Sequence, residues 1–203
     1  MLIRNNPQQQ QGVVLIIALI MLVAMTLGGL AMMRSVHTTT AIAGNLAFQQ
    51  AATNSADSGV EAAVAWLENN NGTGTLFTDI PASGYAASKG VSDDPSGNQD
   101  WTELWTAVWV PRGVATVTQT GGGTVDAAGN TVQYAIQRLC NGTGNPTGAA
   151  ACAVSPVLAT QTGNSRSGGN AKLTVSTQVY YRITVRVSGP RNTVSFIQST
   201  VAL

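Results

Sequence analysis

Two cysteines are the residues whose types and spacing most directly suggest a covalent bond. Cys140 and Cys152 are separated by 11 residues, NGTGNPTGAAA, whose glycines and proline suit a flexible loop. In an exported domain such a pair typically forms a disulfide, and closing so short a loop contributes about 3 kcal/mol in the entropic account. A metal pair is the alternative, but the only histidine, His37, lies far away in the sequence.

The remaining reactive residue types form no recognisable catalytic pattern. Serine and threonine are plentiful, but the sequence has no G-x-S-x-G, and the Gly-Thr-Gly triplets at 72–74 and 142–144 lack the rest of a phosphate loop. One acidic cluster lacks the order of an EF-hand, and a solvated turn is the simpler interpretation of its members, Asp93, Asp94, Asn98 and Asp100. We therefore expect no enzyme, no cofactor and no metal.

Charge is scarce and unevenly distributed. Only 9% of the 203 residues are charged and the formal net charge is +1, which argues against a nucleic-acid partner because neutralising phosphates takes a basic surface. All nine acidic residues lie within 57–126, whereas 127–203 has six basic residues and no acidic one. Such a bipolar chain suits head-to-tail subunit packing, with Arg182 and Arg186 as candidate interface residues. The alternative is that opposite charges pair within the fold.

An uncharged apolar segment at residues 13–33 must be positioned away from water. As a helix its 21 residues span roughly 30 Å, the thickness of a bilayer core. The segment is longer than a secretory h-region, usually about 7–15 residues, and no A-x-A-like site follows it. A buried helix of a soluble protein is the alternative. We expect a single transmembrane pass, with the C-terminal part on the outer side because the 12 preceding residues are too few for a domain.

Helical periodicity continues beyond the apolar segment. Residues 34–68 are predicted as the outer, amphipathic part of the same helix, which ends before Asn71 and Gly72. Three glycines of this helix are either points of flexibility or positions where another helix packs closely, because small residues let helix backbones approach. They are Gly28, Gly29 and Gly44. The outer apolar stripe consists of Ile42, Leu46, Ala52, Ala56, Val60, Ala63 and Leu67.

Residues 69–203 are predicted to form a β-rich outer domain. The three tryptophans within 101–110 suit one helix face or, after Leu104, a strand; we expect the strand, paired through a turn at 111–113 with a second strand at 114–118. Alternation predicts strands over 131–139 and 172–188, the latter joined by a five-residue turn to 194–201. The result is an α+β fold in which the long helix packs on one face of an antiparallel sheet and the other face is solvated.

The leader ends in a single glycine immediately before the apolar segment. A cut between Gly12 and Val13 would remove a polar tag and leave the hydrophobic segment as the new N-terminus. The alternative is that Gly12 merely precedes a signal-anchor helix.

Together these features resemble a type IV prepilin, and more closely the PilX group of minor pilins. The resemblance rests on QGVVLIIALIMLVAMTLGGLAMMRS and AIAGNLAFQQAATNSADSGVEAAVAW, with an echo in the closing YYRITVRVSGPRNTVSFIQSTVAL. It implies a pilin-like fold with a 1–12 leader, cut after Gly12 by a prepilin peptidase that also methylates Val13. It further implies residence in the bacterial inner membrane with a periplasmic head, then assembly with other minor pilins and the major pilin into a surface pilus that can carry a tip adhesin.

Three features depart from that pattern. The leader has glutamines at 8–11 where basic residues are usual, and Val13 stands where Phe or Met is common. Most pilins have Glu at the fifth mature position, where this chain has Ile17; a lone carboxylate in hydrocarbon costs several kcal/mol unless it is paired. A subunit without it fits a tip position. Two alternatives stay open: a minor pseudopilin of type II secretion, and an unprocessed signal-anchored periplasmic protein.

Overall fold

The chain folds as two units, each of which is described by itself. A computed structural model describes residues 12–90, 92–146, 148, 150–154 and 178–203. The units are Met1–Phe48 and Gln49–Leu203. The leader up to residue 11, and the first part of the strand predicted over 172–188, lie outside the described residues.

One helix, α1 (Val13–Asn70), dominates the N-terminal part of the chain. Its prediction is confirmed; it ends before Gly72, whose positive φ of 76° suits a residue without a Cβ. Within the first unit its side chains are almost all exposed, including Ile42 and Leu46 at 62% and 64%, which we had expected on the packed stripe. No residue of the most apolar window is buried, and by length and composition α1 can cross a membrane.

The second unit is built on one mostly antiparallel sheet in the order β1-β3-β4-β5, with β2 also pairing with β3. Its strands are β1 (Tyr85–Ala86), β2 (Ala115–Thr116), β3 (Thr131–Arg138), β4 (Tyr180–Gly189) and β5 (Thr193–Ala202). Only β1 is parallel to its neighbour. The β4–β5 hairpin is confirmed, with a shorter connection than the predicted five residues: the three-residue helical turn Pro190–Asn192.

The C-terminal part of α1 packs on one face of this sheet, as predicted. Its buried residues are the small or apolar ones spaced three or four apart, namely Ala52, Ala56, Gly59, Ala63 and Leu67. Gly59 faces Val132 of β3 and Val185 of β4, so closely that a Cβ there would lie 2.9 and 2.8 Å from their methyl groups. The absence of a side chain at Gly59 therefore sets how near the helix approaches the sheet.

Polar contacts hold the same part of α1 to the loop before β3. The Ser55 hydroxyl donates to the Asp126 carboxylate at 2.6 Å and accepts from the Asn130 amide at 2.9 Å. Burial raises the pKa of Asp126, but hydrogen bonds from Ser55 and from the backbone of Asn130 and Ala128 outweigh it, so the net pKa is lowered.

The strand predicted after Leu104 is wrong, because the segment is helical. We call α2 the continuous stretch of α-helix Trp101–Leu104, π-helix Trp105–Trp109 and α-helix Val110–Arg112. The Asp100 side chain caps it by accepting from the Glu103 amide at 2.7 Å. The wider π turn, in which the Val110 N–H reaches the Trp105 carbonyl, directly precedes Pro111, which has no N–H to donate.

Because α2 is a helix, two further expectations are wrong. The segment at 114–118 has no strand partner in 105–110; instead β2 pairs with β3. The second face of the sheet is solvated only in part, since α2 covers it with a cluster of Leu104, Trp105, Trp109 and Ala135, against which Phe196 packs, while Gln198 and Thr200 of β5 are exposed. Gln137, on this face, is fully buried. The tryptophans thus serve core packing, the use favoured by their size.

The close approach at Gly59 predicts that Gly59→Ala destabilises the second unit by about 1–3 kcal/mol, because the added methyl group overpacks against two branched side chains. Gly44→Ala is the matched control on the same helix, since a Cβ there meets nothing within 4 Å. Thermal unfolding of the detergent-solubilised chain measures both. An unchanged midpoint in Gly59→Ala would contradict the packing described here.

Candidate functional site

The predicted processing position lies at the start of α1. Gly12 directly precedes the helix, and Val13, its first residue, is 60% exposed. A peptide bond between a residue outside a helix and the first helical residue is sterically more available than one inside the helix. The position is therefore geometrically suited to cleavage, and the cleavage itself stays a prediction.

The candidate helix-packing residues all lie on the exposed part of α1. Ile17 is 49% exposed. A Cβ built at Gly28, Gly29 or Gly44 meets nothing within 4 Å, and the helix continues through all three. Among the described residues of one copy these positions have no packing partner, as is typical of positions that face lipid or another helix.

The two predicted disulfide cysteines are brought together. The structure joins Cys140 and Cys152 in a disulfide, and the two residues also form an isolated antiparallel bridge. Backbone hydrogen bonds on either side extend this contact: Asn141 N to Ala151 O at 2.8 Å and Ala153 N to Leu139 O at 2.7 Å.

A buried arginine that the sequence did not single out organises the disulfide loop. Arg138 is fully buried, and its guanidinium donates to the carbonyl of Ala87 at 2.8 Å and to those of Gly142 and Gly144 at 3.4 and 2.9 Å. In the sequence Arg138 is only one of the six basic residues of 127–203. Its charge is instead used inside the fold, where carbonyl dipoles replace its hydration.

The acidic cluster forms ion pairs and a helix cap rather than a solvated turn. Asp93 is 2% exposed, and its carboxylate accepts from the Gly90 N–H, the Arg112 guanidinium and the Gln137 amide. Arg112 also donates to Ser88 O at 3.1 Å and lies over the Trp109 ring, 5.4 Å from its centroid. The oxygens of Asp93 are therefore committed to protein donors.

The two candidate interface arginines differ. Arg182 forms an ion pair with Asp94 at 2.6 Å and donates to the Gln137 side-chain oxygen at 2.6 Å, so its charge is paired within the fold. Arg186 donates to the Gln133 side-chain oxygen at 3.2 Å and makes no ion pair among the described residues. Of the two, Arg186 is the one with charge left to offer a partner.

Two tyrosines with a raised pKa have a structural role. Burial raises the pKa of Tyr134 and of Tyr181, and for Tyr181 the charge of Arg138 acts in the opposite direction. Both rings point into the face covered by α1, so their shifted pKa values follow from packing.

The exposed apolar helix that starts directly after Gly12 is similar in sequence to a known protein family. Residues 11–61 match the PilX N-terminal family model. This stretch covers the Gly12–Val13 junction and most of α1. The match supports a PilX-like minor pilin of a type IV pilus, and pilins of the PilX family are structural, non-enzymatic proteins. No curated protein and no solved structure matches the chain.

Substitutions at two adjacent aspartates of this PilX-like chain are expected to lower the free energy of unfolding by very different amounts. Asp93→Asn leaves the Arg112 guanidinium without its carboxylate in a site where the Asp93 side chain is 1% exposed, and we expect a loss of about 3 kcal/mol in unfolding free energy. Asp94→Asn removes a pair whose carboxylate is 52% exposed, worth no more than about 1 kcal/mol. Denaturant unfolding compares them; equal losses would contradict the buried pair.

Reduction of the Cys140–Cys152 disulfide is expected to lower unfolding free energy by about 3 kcal/mol, through the released loop. The measurement is thermal unfolding with and without a thiol reductant, alongside iodoacetamide labelling counted by mass. The Cys140→Ser/Cys152→Ser double variant is the control, because reductant must not shift its midpoint. Labelling of both cysteines without reductant would show that the bond is not formed.

Proposed function

We propose that this protein is a minor pilin whose work is assembly rather than catalysis. A prepilin peptidase cuts after Gly12 and methylates the amine of Val13. The chain is held in the bacterial inner membrane by residues 13–33 with residues 69–203 in the periplasm. It then enters a type IV pilus together with other minor pilins and the major pilin.

The match of residues 11–61 to the PilX N-terminal family carries this proposal. Two physical features support it. An apolar helix with no buried residue in its most hydrophobic window needs a non-aqueous environment, which a membrane provides first and neighbouring pilin helices provide after extraction. The β-rich unit, closed by a disulfide, suits an oxidising compartment.

The absence of Glu at the fifth mature position suggests where in the pilus this subunit sits. A buried Glu needs a positive partner on a neighbouring subunit, whereas Ile17 needs none. A subunit at the tip has no subunit above it to take part in such a pair. We therefore place this protein in a tip or priming complex that promotes assembly and adhesion, beneath a tip adhesin.

A substitution at Ile17 is expected to change where the subunit lies in the pilus. Ile17→Glu gives the subunit a carboxylate that can pair along the shaft, so we expect labelled protein to spread from pilus ends along the filament. Ile17→Gln is the control, since it is polar and similar in size but cannot form the ion pair. Immunogold counts on purified pili measure the distribution, and an unchanged end location in Ile17→Glu would contradict the tip assignment.

The mature N-terminus tests the proposed processing. Mass spectrometry of the membrane-extracted protein is expected to find a peptide starting at N-methyl-Val13, absent from cells without the prepilin peptidase. A Met1 start in both strains would instead identify an unprocessed signal-anchored periplasmic protein. A type II secretion pseudopilin would share the N-methyl-Val13 start but would be absent from cell-surface filaments.

A further inference from the structure

The two edges of the sheet are protected very differently. At one edge, β3 is covered by the two-residue strands β1 and β2. At the other edge, β5 pairs with β4 over ten residues, from Tyr180↔Ala202 to Gly189↔Thr193, and pairs with no other strand among the described residues. A long open edge exposes a row of unpaired backbone groups, which natural proteins normally block.

The usual blocking devices are missing from β5. Its sequence, TVSFIQSTVA, contains no charged residue and no proline, and its pairing with β4 runs without a bulge. These residues have high β-propensity. The strand therefore has the composition of one that is paired on both sides.

The hydrogen-bond pattern identifies which backbone groups are available. Val179 and Leu203 exchange both backbone hydrogen bonds, at 2.8 and 3.0 Å. Because such pairs alternate along an antiparallel ladder, the odd-numbered residues of β5 bond to β4. The even-numbered residues direct their N–H and C=O groups away from it; these are Val194, Phe196, Gln198, Thr200 and Ala202.

The surroundings of this edge indicate the chemistry of its occupant. Phe196 lies opposite Arg186 and packs against Trp101 and Trp105, with ring centroids 5.9 and 5.8 Å apart. Arg186 has no carboxylate partner among the described residues, and its Nε is buried without a hydrogen bond there. A strand added beside β5 would lie two strand spacings, about 10 Å, from β4. Arg186 Nη1 donates to Gln133 on the β3 side at 3.2 Å, so pairing with an acidic side chain on the added strand requires the guanidinium to turn from Gln133 toward Phe196.

A second copy of this chain fits the edge poorly. The strand that it would add by edge-to-edge pairing is another β5, whose sequence TVSFIQSTVA contains no acidic residue. Such a strand brings no carboxylate to Arg186.

We propose that the free edge of β5 accepts an extended, acidic-residue-containing strand from a different protein, which extends the sheet by β-strand addition. Backbone hydrogen bonds to the even-numbered residues of β5 supply affinity. The apolar surface of Trp101 and Phe196, together with the Arg186 charge, selects for a strand that places apolar and acidic side chains on that face.

A ten-residue peptide copying β4 but carrying R182E and R186E is the probe, because β4 already shows the alternation that pairs with β5. The same peptide with its native arginines is the matched control. Amide hydrogen exchange of the full chain in detergent is expected to show rapid exchange at the even-numbered β5 residues, and protection when the acidic peptide is added. The arginine peptide should bind about tenfold more weakly.

Two variants make the test site-specific. Thr200→Pro removes an outward N–H at an exposed position while sparing the ladder to β4, and is expected to weaken acidic-peptide binding about tenfold; Thr200→Val, which keeps that N–H, should bind normally. If Thr200→Pro fails to fold, Arg186→Gln remains, and it should abolish the preference for the acidic peptide. Wild-type binding by Thr200→Pro, or an unchanged preference in Arg186→Gln, would overturn the proposal.

Three other results would also overturn it. Protection of the even-numbered amides without peptide at every concentration would show that the chain itself covers the edge. Protection that rises with protein concentration would identify a second copy as the occupant. Equal binding of both peptides would remove the role of Arg186. The mature N-terminus, measured on the same preparations, tells these failures apart from a failure of the proposed pilin function, because processing at Gly12 does not involve β5.

Discussion

The constraint on which everything else depends is that one helix must satisfy two environments. From Val13 to Leu46 the large apolar side chains of α1 are exposed in the described chain, and they need lipid or another apolar surface. Beyond Phe48 the same helix carries small residues that fit against a sheet. The change from large exposed side chains to small buried ones is what makes α1 both an anchor and part of a folded core.

The sheet is built to match that helix. Gly59 lets α1 approach Val132 and Val185, and the tryptophan-bearing α2 closes the opposite face. Charged side chains are few, and several of them pair within the fold. The buried pair of Asp93 and Arg112 holds the loop between β1 and α2 beside β3, so these two charges are not available to a partner at the surface.

Patterns that depend on neighbours in sequence could be predicted, and those that depend on distant contacts could not. The long helix, the β4–β5 hairpin and the overall α+β arrangement follow from periodicity and turn residues. The prediction of a strand in the tryptophan segment is wrong because the tryptophan spacing fits both a helix and a strand. The sequence signal for the helix is Asp100 as an N-cap with Glu103 three residues later. The roles of Arg138, Asp93 and Gln137 arise from contacts between distant segments, so local patterns do not contain them.

The central claim is that a membrane-anchored chain leaves the membrane to become part of an extracellular filament. Quantitative mass spectrometry of filaments sheared from intact cells tests it most directly, with the washed membranes of the same cells measured in parallel. The account predicts peptides of this chain in the filament fraction at a small proportion of the major subunit. Recovery of all of it in the membrane fraction of cells that bear pili would contradict the account.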